Sequence, residues 1–300
     1  MPLSTPAAAA DVDAAAEEWI RGHVQPVGPI EVVHDRPWAT VRCVPVAGGL
    51  VWFKACAPTQ AFEPQVTASL FGRWPKLVSE VLAYDVDRRW LLLADAGSQA
   101  RSLGNPPELW IRALPRYAEL QRGEAVHVDA HLAAGVPDLR VASLPEHYDD
   151  LLPHGLSPKF ARRFADLCEQ LESAGLAPSV EHGDMHMNNL YVDGDQLRII
   201  DWGDAAISHP FFSLVTTFRF LEEFNGLHPG DPWFNRLRDA YLEPWGPGHE
   251  ETIDLALRVG SFARAFTALR IRNQLPPGAI PDYDTDFQAV LQRAVSAGQR

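Results

Sequence analysis

No apolar run in this chain of 300 residues approaches the ~20 residues that a membrane-crossing helix needs, so a spanning helix is not expected. Cysteine is scarce. Cys43, Cys56 and Cys168 are widely spaced and odd in number, so neither a disulfide framework nor a zinc motif is indicated. The N-terminal alanine run is interspersed with Asp11, Asp13, Glu17 and Glu18 and has no basic region before an apolar core, so no secretory leader is read and the cytoplasm is the expected compartment. Basic charge is in deficit too. With 26 Lys and Arg against 39 Asp and Glu, the net charge of −13 argues against a nucleic-acid partner and is compatible with a cationic small molecule, although an acidic solvated surface accounts for most of these charges.

Apolar material is ample. At 46% of the residues it suffices for one bilobal enzyme or two intimate domains, and most of the 9 tryptophans and 14 phenylalanines read as core. Val41–Val46 and Leu50–Lys54, joined by Ala47-Gly48-Gly49, predict a hairpin. Val81–Asp85 and Trp90–Gly97 predict two more strands. A helix is expected to begin at Glu63, with Pro64 at its first helical position, because proline disfavours helical geometry in the residue before it. From residue 107 the texture turns helical: Pro107–Gly123, Leu144–Leu152, Pro158–Gly175, Phe211–Asn225, Trp233–Leu242, His249–Gln274 and Thr285–Ala297 carry apolar residues at helical spacing. Pro115 predicts a kink or a later start in the first of them.

The most informative stretch is residues 182–201. His182-Gly183-Asp184-Met185-His186-Met187-Asn188-Asn189 leads into Leu190-Tyr191-Val192, an Asp193-Gly194-Asp195 turn, and Leu197-Arg198-Ile199-Ile200-Asp201-Trp202. The turn predicts a hairpin that returns Asp201 to the level of Asn189, although twelve residues separate them. Phosphoryl transfer requires a group that positions the acceptor and receives its proton, together with hard oxygen ligands that hold Mg²⁺ on the phosphates. Asp184 suits the first task; Asn189, five residues on, and Asp201 suit the second. Lys54, emerging from the apolar run Leu50-Val51-Trp52-Phe53, is a candidate for the nucleotide phosphates, against the alternative of a snorkelling edge lysine.

His-Gly-Asp-x-His-x-x-Asn followed by Ile-Asp-Trp resembles the signature of the aminoglycoside phosphotransferase family, relatives of choline kinases and more distantly of protein kinases. The resemblance implies an α+β, bilobal protein kinase-like fold: a small N-lobe (residues 1–97) with an antiparallel sheet and one helix, and a larger, mainly helical C-lobe (98–300). It implies ATP- or GTP-dependent phosphorylation of a small-molecule hydroxyl with Mg²⁺, Asp184 as the catalytic aspartate and Asn189 and Asp201 as metal ligands. Lys54 matches the strand lysine of the α/β-phosphates, Glu63 its helix partner, and Asp95-Ala96-Gly97 the hinge that meets the adenine. Asp204 and residues of the helices after it are where contacts to a cationic acceptor are expected.

Two departures accompany the match. No Gly-x-Gly-x-x-Gly loop precedes Lys54; residues 34–42 stand there, so phosphate contacts fall to backbone amides, Thr40 or Arg36. A family segment Gly-Asp-Pro…Asp-Leu appears as Ser208-His209-Pro210-Phe211-Phe212-Ser213-Leu214, without its second aspartate. Two competing readings remain in view. His182, Asp184 and His186 alternate and can in principle form a zinc or iron hydrolase site, which leaves Asn189 and Asp201 unexplained. A nucleotide-binding pseudokinase is the other, disfavoured because base, metal ligands and lysine are all present. In the kinase reading the two histidines hold the loop through backbone hydrogen bonds.

Overall fold

The computed structural model describes residues 6–299. Helix α1 (Pro6–His23) precedes five strands: β1 (Glu31–Arg36), β2 (Ala39–Val46), β3 (Gly49–Cys56), β4 (Val81–Asp85) and β5 (Trp90–Ala94). They form one antiparallel sheet in the order β1-β2-β3-β5-β4. On β3, Val51 and Phe53 point to one face, where they pack with Val44, Trp90 and Leu92 beneath Ala16, Trp19 and Ile20 of α1. Successive strand side chains alternate faces, so Lys54 is directed to the other side of the sheet, into the cleft. Helix α1 was not among the expected elements, although Ala16, Trp19 and Ile20 have the spacing of one helical face. Strand β1 was not expected either. Strand β5 stops at Ala94 rather than Gly97, because residues 95–97 cross to β6 (Ser98–Gln99), which pairs with β8 (Leu190–Asp193) in a second sheet. Gly97 makes that crossing at φ +90°, and a Cβ there would lie 2.4 Å from the Val192 carbonyl oxygen.

Between β3 and β4 lies α2 (Glu63–Arg73), with Glu63 its first residue and Pro64 its second. Its apolar face, Val66 and Leu70, belongs to the large core of the helical part, not to the core under α1. A buried carboxylate tightens this attachment. Glu124, at the end of α3 (Pro107–Glu124), accepts from Arg73 Nε and Nη2 at 2.7 and 2.6 Å and from Trp74 Nε1 at 2.7 Å, with His131 Nε2 at 2.7 Å. Burial alone would raise its pKa, but these donors outweigh burial and hold it at about 2. A depressed carboxyl supplies stability above its ordinary value of 4.5 and loses it as pH falls towards 2, here roughly 3 kcal/mol. Glu124→Gln is therefore expected to lower unfolding free energy at pH 7 by about 2–4 kcal/mol in a urea titration. The gap should close between pH 4.5 and 2. An unchanged midpoint at pH 7 would show that this contact does not tie α2 down.

The helical part continues through α4 (Val128–Ala133), α5 (Ala161–Glu172), α6 (Ser213–Asn225), α7 (Pro232–Leu242), α8 (Glu250–Gln274) and α9 (Ile280–Gln299). Three short strands complete it: β7 (Ser179–Glu181), β9 (Gln196–Ile199) and β10 (Ala206–Ser208). Residues 144–152 differ from expectation. They lie in a 3₁₀ run, Val141–His154, in which Pro145 and Pro153 have no N–H to give an α-helical ladder. Helix α3 begins at Pro107 and runs through Pro115. Trp110, Tyr117, Tyr148, Trp202 and Tyr241 are fully buried in one continuous core. Among the described residues no helix is long and apolar enough to cross a membrane.

Candidate active site

Strands β8 and β9 form the expected hairpin. Asp193 pairs with Gln196, so the loop is Gly194-Asp195, with Gly194 at φ +56°. Leu190 pairs with Ile199, and the Ile200 N–H donates to the Asn189 carbonyl at 3.0 Å, which brings Asn189 and Asp201 to the same end of the ladder. Asp201 takes φ +64°, a left-handed conformation uncommon outside glycine and tolerated best by Asn and Asp. Its Oδ1 accepts from Lys54 Nζ at 2.6 Å.

Lys54 also reaches Glu63, at 2.7 Å to Oε1 and 2.6 Å to Oε2. Burial opposes the ammonium, but Asp201 and Glu63 outweigh it and hold the lysine pKa well above its usual value. The group is a cation at any physiological pH.

Asp184 follows a glycine that no other residue can replace. Gly183 sits at φ +77°, and a Cβ would fall 2.3 Å from the Asp204 carbonyl oxygen. His182 Nε2 donates to the Ile200 carbonyl at 2.9 Å while its Nδ1 accepts from the Asp184 N–H at 3.2 Å. His186 does more than hold backbone. Its Nδ1 accepts from the Asn188 N–H at 3.2 Å, which puts the proton on Nε2, and Nε2 donates to Asp184 Oδ2 at 3.0 Å. The imidazole stacks on Phe220 at 4.1 Å. Arg264 approaches Asp184 Oδ1 at 3.3 Å and donates to Asp204 Oδ2 at 2.6 Å. Burial would raise the Asp184 pKa; His186 and Arg264 outweigh it and keep the carboxylate ionised far below neutrality.

Two cavities meet here. One of about 550 Å³ has apolar walls that include Val41, Leu93, Ala94 and Ala96, and carries Arg36, Lys54 and Arg101. The other, about 460 Å³, is lined by Asp184 together with Asp204, Asp286, Arg219, Arg264 and Tyr283 among others. Trp38, Asn188 and Asp201 line both.

Lys54, Glu63, Asn189 and Asp201 thus converge on the first cavity, and Asp184 and Asp204 on the second. Asp95 and Gly97 do not line either: Asp95 Oδ1 accepts from Trp52 Nε1 at 3.4 Å and from the Gly97 N–H at 3.3 Å, and Ala94 and Ala96 form the wall. Thr40 is also turned away, donating to Asp35 at 2.9 Å, whereas Arg36 does face the cavity. Asp204 is already engaged by Arg264 and, at 3.3 Å, by Gln60. Arg264 was not anticipated, although an arginine set within the apolar stretch Phe262, Ala263, Ala265 and Phe266 is a visible signal. Trp38, at the tip of the β1–β2 hairpin, had no sequence signal.

The residues fit a magnesium ion bound with phosphates. Asn189 turns Nδ2 to the Asp184 carbonyl at 2.9 Å, which leaves Oδ1 for another partner, and only one oxygen of Asp201 is engaged by Lys54. An amide oxygen and a carboxylate oxygen are the hard donors magnesium accepts. The hydrolase arrangement does not form: both nitrogens of His182 and of His186 are engaged within the loop, and among the described residues no three His, Cys, Asp or Glu side chains are grouped to hold a metal.

The sequence profile of the family described as "Phosphotransferase enzyme family" matches residues 50–255, a span that contains Lys54, Asp184, Asn189 and Asp201. The chain belongs to that family. It is a small-molecule kinase, and its fold is the kinase-like one implied by the sequence. Among solved structures it is similar to the choline kinase LicA from Streptococcus pneumoniae, with a TM-score of 0.68 at 12% identity over 96% of this chain and 99% of that one. LicA in complex with AMP aligns at a TM-score of 0.63 and 11% identity, covering 95% and 98%. The macrolide 2′-phosphotransferase MphH from Brachybacterium faecium aligns at 0.58 and 15% identity, covering 96% and 97%. At these identities the likeness is one of fold. No curated protein matches the chain.

Proposed function

We propose that this phosphotransferase moves the γ-phosphoryl group of ATP or GTP, bound with Mg²⁺, to a hydroxyl of a small molecule. The observation that carries the reading is the meeting of two cavities at Asp201, one walled for a nucleotide and one holding Asp184. Residues 1–97 serve as the nucleotide lobe and 98–300 as the catalytic lobe. In the first cavity the base lies against Ala94 and Ala96, the stretch that includes Asp95 and Gly97 acting as hinge, and Lys54, fixed by Glu63, meets the phosphates. Asn189 and Asp201 hold the metal, which supplies charge neutralisation on the triphosphate. The Asp184 carboxylate, ionised throughout the neutral range, accepts the hydrogen bond of the acceptor hydroxyl and orients its oxygen for in-line attack. It takes the proton late, as charge leaves that oxygen. Arg264 and His186 keep the carboxylate from rotating.

An amino-containing acceptor is the specific form of this reading. Its cationic group would meet Asp204 and Asp286, although Arg264 already shares the charge of Asp204. Asp204→Asn is then expected to raise the acceptor KM more than the nucleotide KM. Catalytic efficiency should fall as salt screens the cleft, over a Debye length of about 8 Å at physiological ionic strength. The test is nucleotide consumption over aminoglycosides, amino sugars, choline-like amines and neutral sugars. Preference for a neutral sugar, insensitive to salt, would remove the cationic acceptor and leave the kinase standing. Tight Mg·ATP binding without consumption on any acceptor would favour a pseudokinase.

A further inference from the structure

Just before the catalytic loop, at the end of β7, Glu181 places a carboxylate in the interior of the helical lobe; the residue is 7% exposed. Its Oε1 accepts from the Gly183 N–H at 2.9 Å and from Ser213 Oγ at 3.3 Å. The side chain takes part in no ion pair among the described residues. Arg264, a cation that acts on it electrostatically, commits its guanidinium to Asp184 and Asp204. A carboxylate buried without a counter-ion is costly and is not what packing alone selects, since leucine or glutamine would fill the space without a charge. The donor it satisfies is the N–H of Gly183, the residue immediately before Asp184.

We propose that Glu181 is a positioning residue for the catalytic loop, clamping the Gly183 peptide so that Asp184 faces the acceptor. This rests on the role of Asp184 given above. Gly183 is held through the peptides on both its sides: Glu181 accepts from its N–H at 2.9 Å, and Thr216 Oγ1 donates to its carbonyl at 3.1 Å. Gly183 at φ +77° against the Asp204 carbonyl has no room to adjust, so a loosened peptide moves Asp184 directly. Ser213 explains why the carboxylate comes from β7. Standing where the related segment has an aspartate, its hydroxyl accepts from the His182 N–H at 3.2 Å and lies 2.5 Å from the Tyr117 hydroxyl, but it carries no charge.

The placement also makes the clamp sensitive to pH. The groups facing the carboxyl are Tyr117 from α3, Ser213 and Thr216 from α6, Tyr241 from α7, Arg264 from α8, and His182 and Asp204 from the flanking loops. Burial raises the Glu181 pKa, and the Gly183 N–H, Arg264 and Ser213 lower it only in part, so that it is pushed up to about 7. Protonation then weakens the acceptor for Gly183 just below neutrality, where Asp184 remains ionised. Because the folded pKa is raised above its ordinary 4.5, the stability linked to this proton is present below 4.5 and lost as pH rises through 7.

The experiment follows the Gly183 amide in ¹⁵N-glycine-labelled full-length protein from about pH 5.5 to about 8.5, beside hydrolysis of Mg·ATP with water as acceptor and calorimetric Mg·ATP binding. In the wild type the Gly183 resonance should move with a midpoint near 7 and hydrolysis should fall on the acid side with the same midpoint. Glu181→Gln should flatten both and slow hydrolysis ~10-fold or more while leaving nucleotide affinity nearly unchanged. Its thermal midpoint should rise at pH 8 and converge with the wild type towards pH 4.5. Because Ser213 opens α6 within 3.3 Å of Oε1, Glu181→Leu combined with Ser213→Asp should recover hydrolysis lost in Glu181→Leu alone. A Gly183 amide that stays still, or a Glu181→Gln enzyme with the wild-type rate and profile, overturns the proposal. A thermal midpoint that falls in step with turnover assigns Glu181 to packing alone and overturns it too. Should the wild type neither bind nor hydrolyse Mg·ATP, the kinase role of Asp184 fails, and the Gly183 titration still decides whether Glu181 holds the loop.

Discussion

Asp184→Asn is expected to bind Mg·ATP nearly as well as the wild type and to turn over ~10²–10⁴-fold more slowly, the range for losing a positioned proton acceptor. Asp184 lines the second cavity and not the first, where the nucleotide is proposed to bind, so nucleotide contacts are expected to survive the change. The carboxylate has three side-chain donors to satisfy, His186 Nε2 at 3.0 Å and Asn189 Nδ2 at 3.4 Å on Oδ2, and Arg264 Nη2 at 3.3 Å on Oδ1. An amide offers a single acceptor oxygen. The donors of one side are left opposite an NH₂ group, and neither arrangement can receive a proton from the acceptor. The loss should therefore appear in kcat, with KM for nucleotide little changed. Because the wild-type carboxylate stays ionised well below neutrality, the variant should retain whatever acid limb the wild-type pH profile has near 7. Unchanged turnover would mean that another group receives the proton.

The catalytic hairpin was legible because its signals are local. Asp193-Gly194 between two β-forming runs fixes a two-stranded ladder, and the ladder fixes Asn189 beside Asp201 without help from distant residues. Lys54 was legible for the same reason: it follows the apolar run Leu50–Phe53 within β3, whose alternation sends it to the face opposite Phe53. The pairing of Lys54 with Glu63 depended on where α2 begins, and Pro64 marks that point in the sequence. The rest required tertiary placement. Arg264 reaches Asp184 from eighty residues away on α8, and Trp38 enters the cleft only because β1 and β2 pair as a hairpin above it. Asp95-Ala96-Gly97 was read as a hinge that meets the adenine; the chain crosses there from one sheet to the other, and which of residues 94–97 faces the cavity depends on a backbone turn that composition does not encode. Asp204 lines the same cavity as Asp184, and its pairing with Arg264 changes how much charge it offers to a ligand.

Asp201 and Asn189 should separate the metal from the nucleotide. Asp201→Ala mixes two effects, because alanine at φ +64° is strained in its own right. Asp201→Asn is the cleaner change, since asparagine tolerates the left-handed conformation and removes only the charge. Losing one charged or polar contact to the ion costs about 1.5–3 kcal/mol, equivalent to roughly 10- to 100-fold in affinity for Mg·ATP. Asp201→Asn should lie at the upper end, because it also takes one of two carboxylates from Lys54 and leaves Glu63 alone to hold the ammonium. Asn189→Ala should lie lower: it deletes a neutral ligand and the 2.9 Å hydrogen bond to the Asp184 carbonyl, so its kcat should fall further than its affinity does. Calorimetry with Mg·ATP and with ATP in excess chelator reads the distinction. If the magnesium-dependent part of the affinity survives in both variants, the ion is bound elsewhere, and the two oxygens at the end of the hairpin serve only to shape the loop.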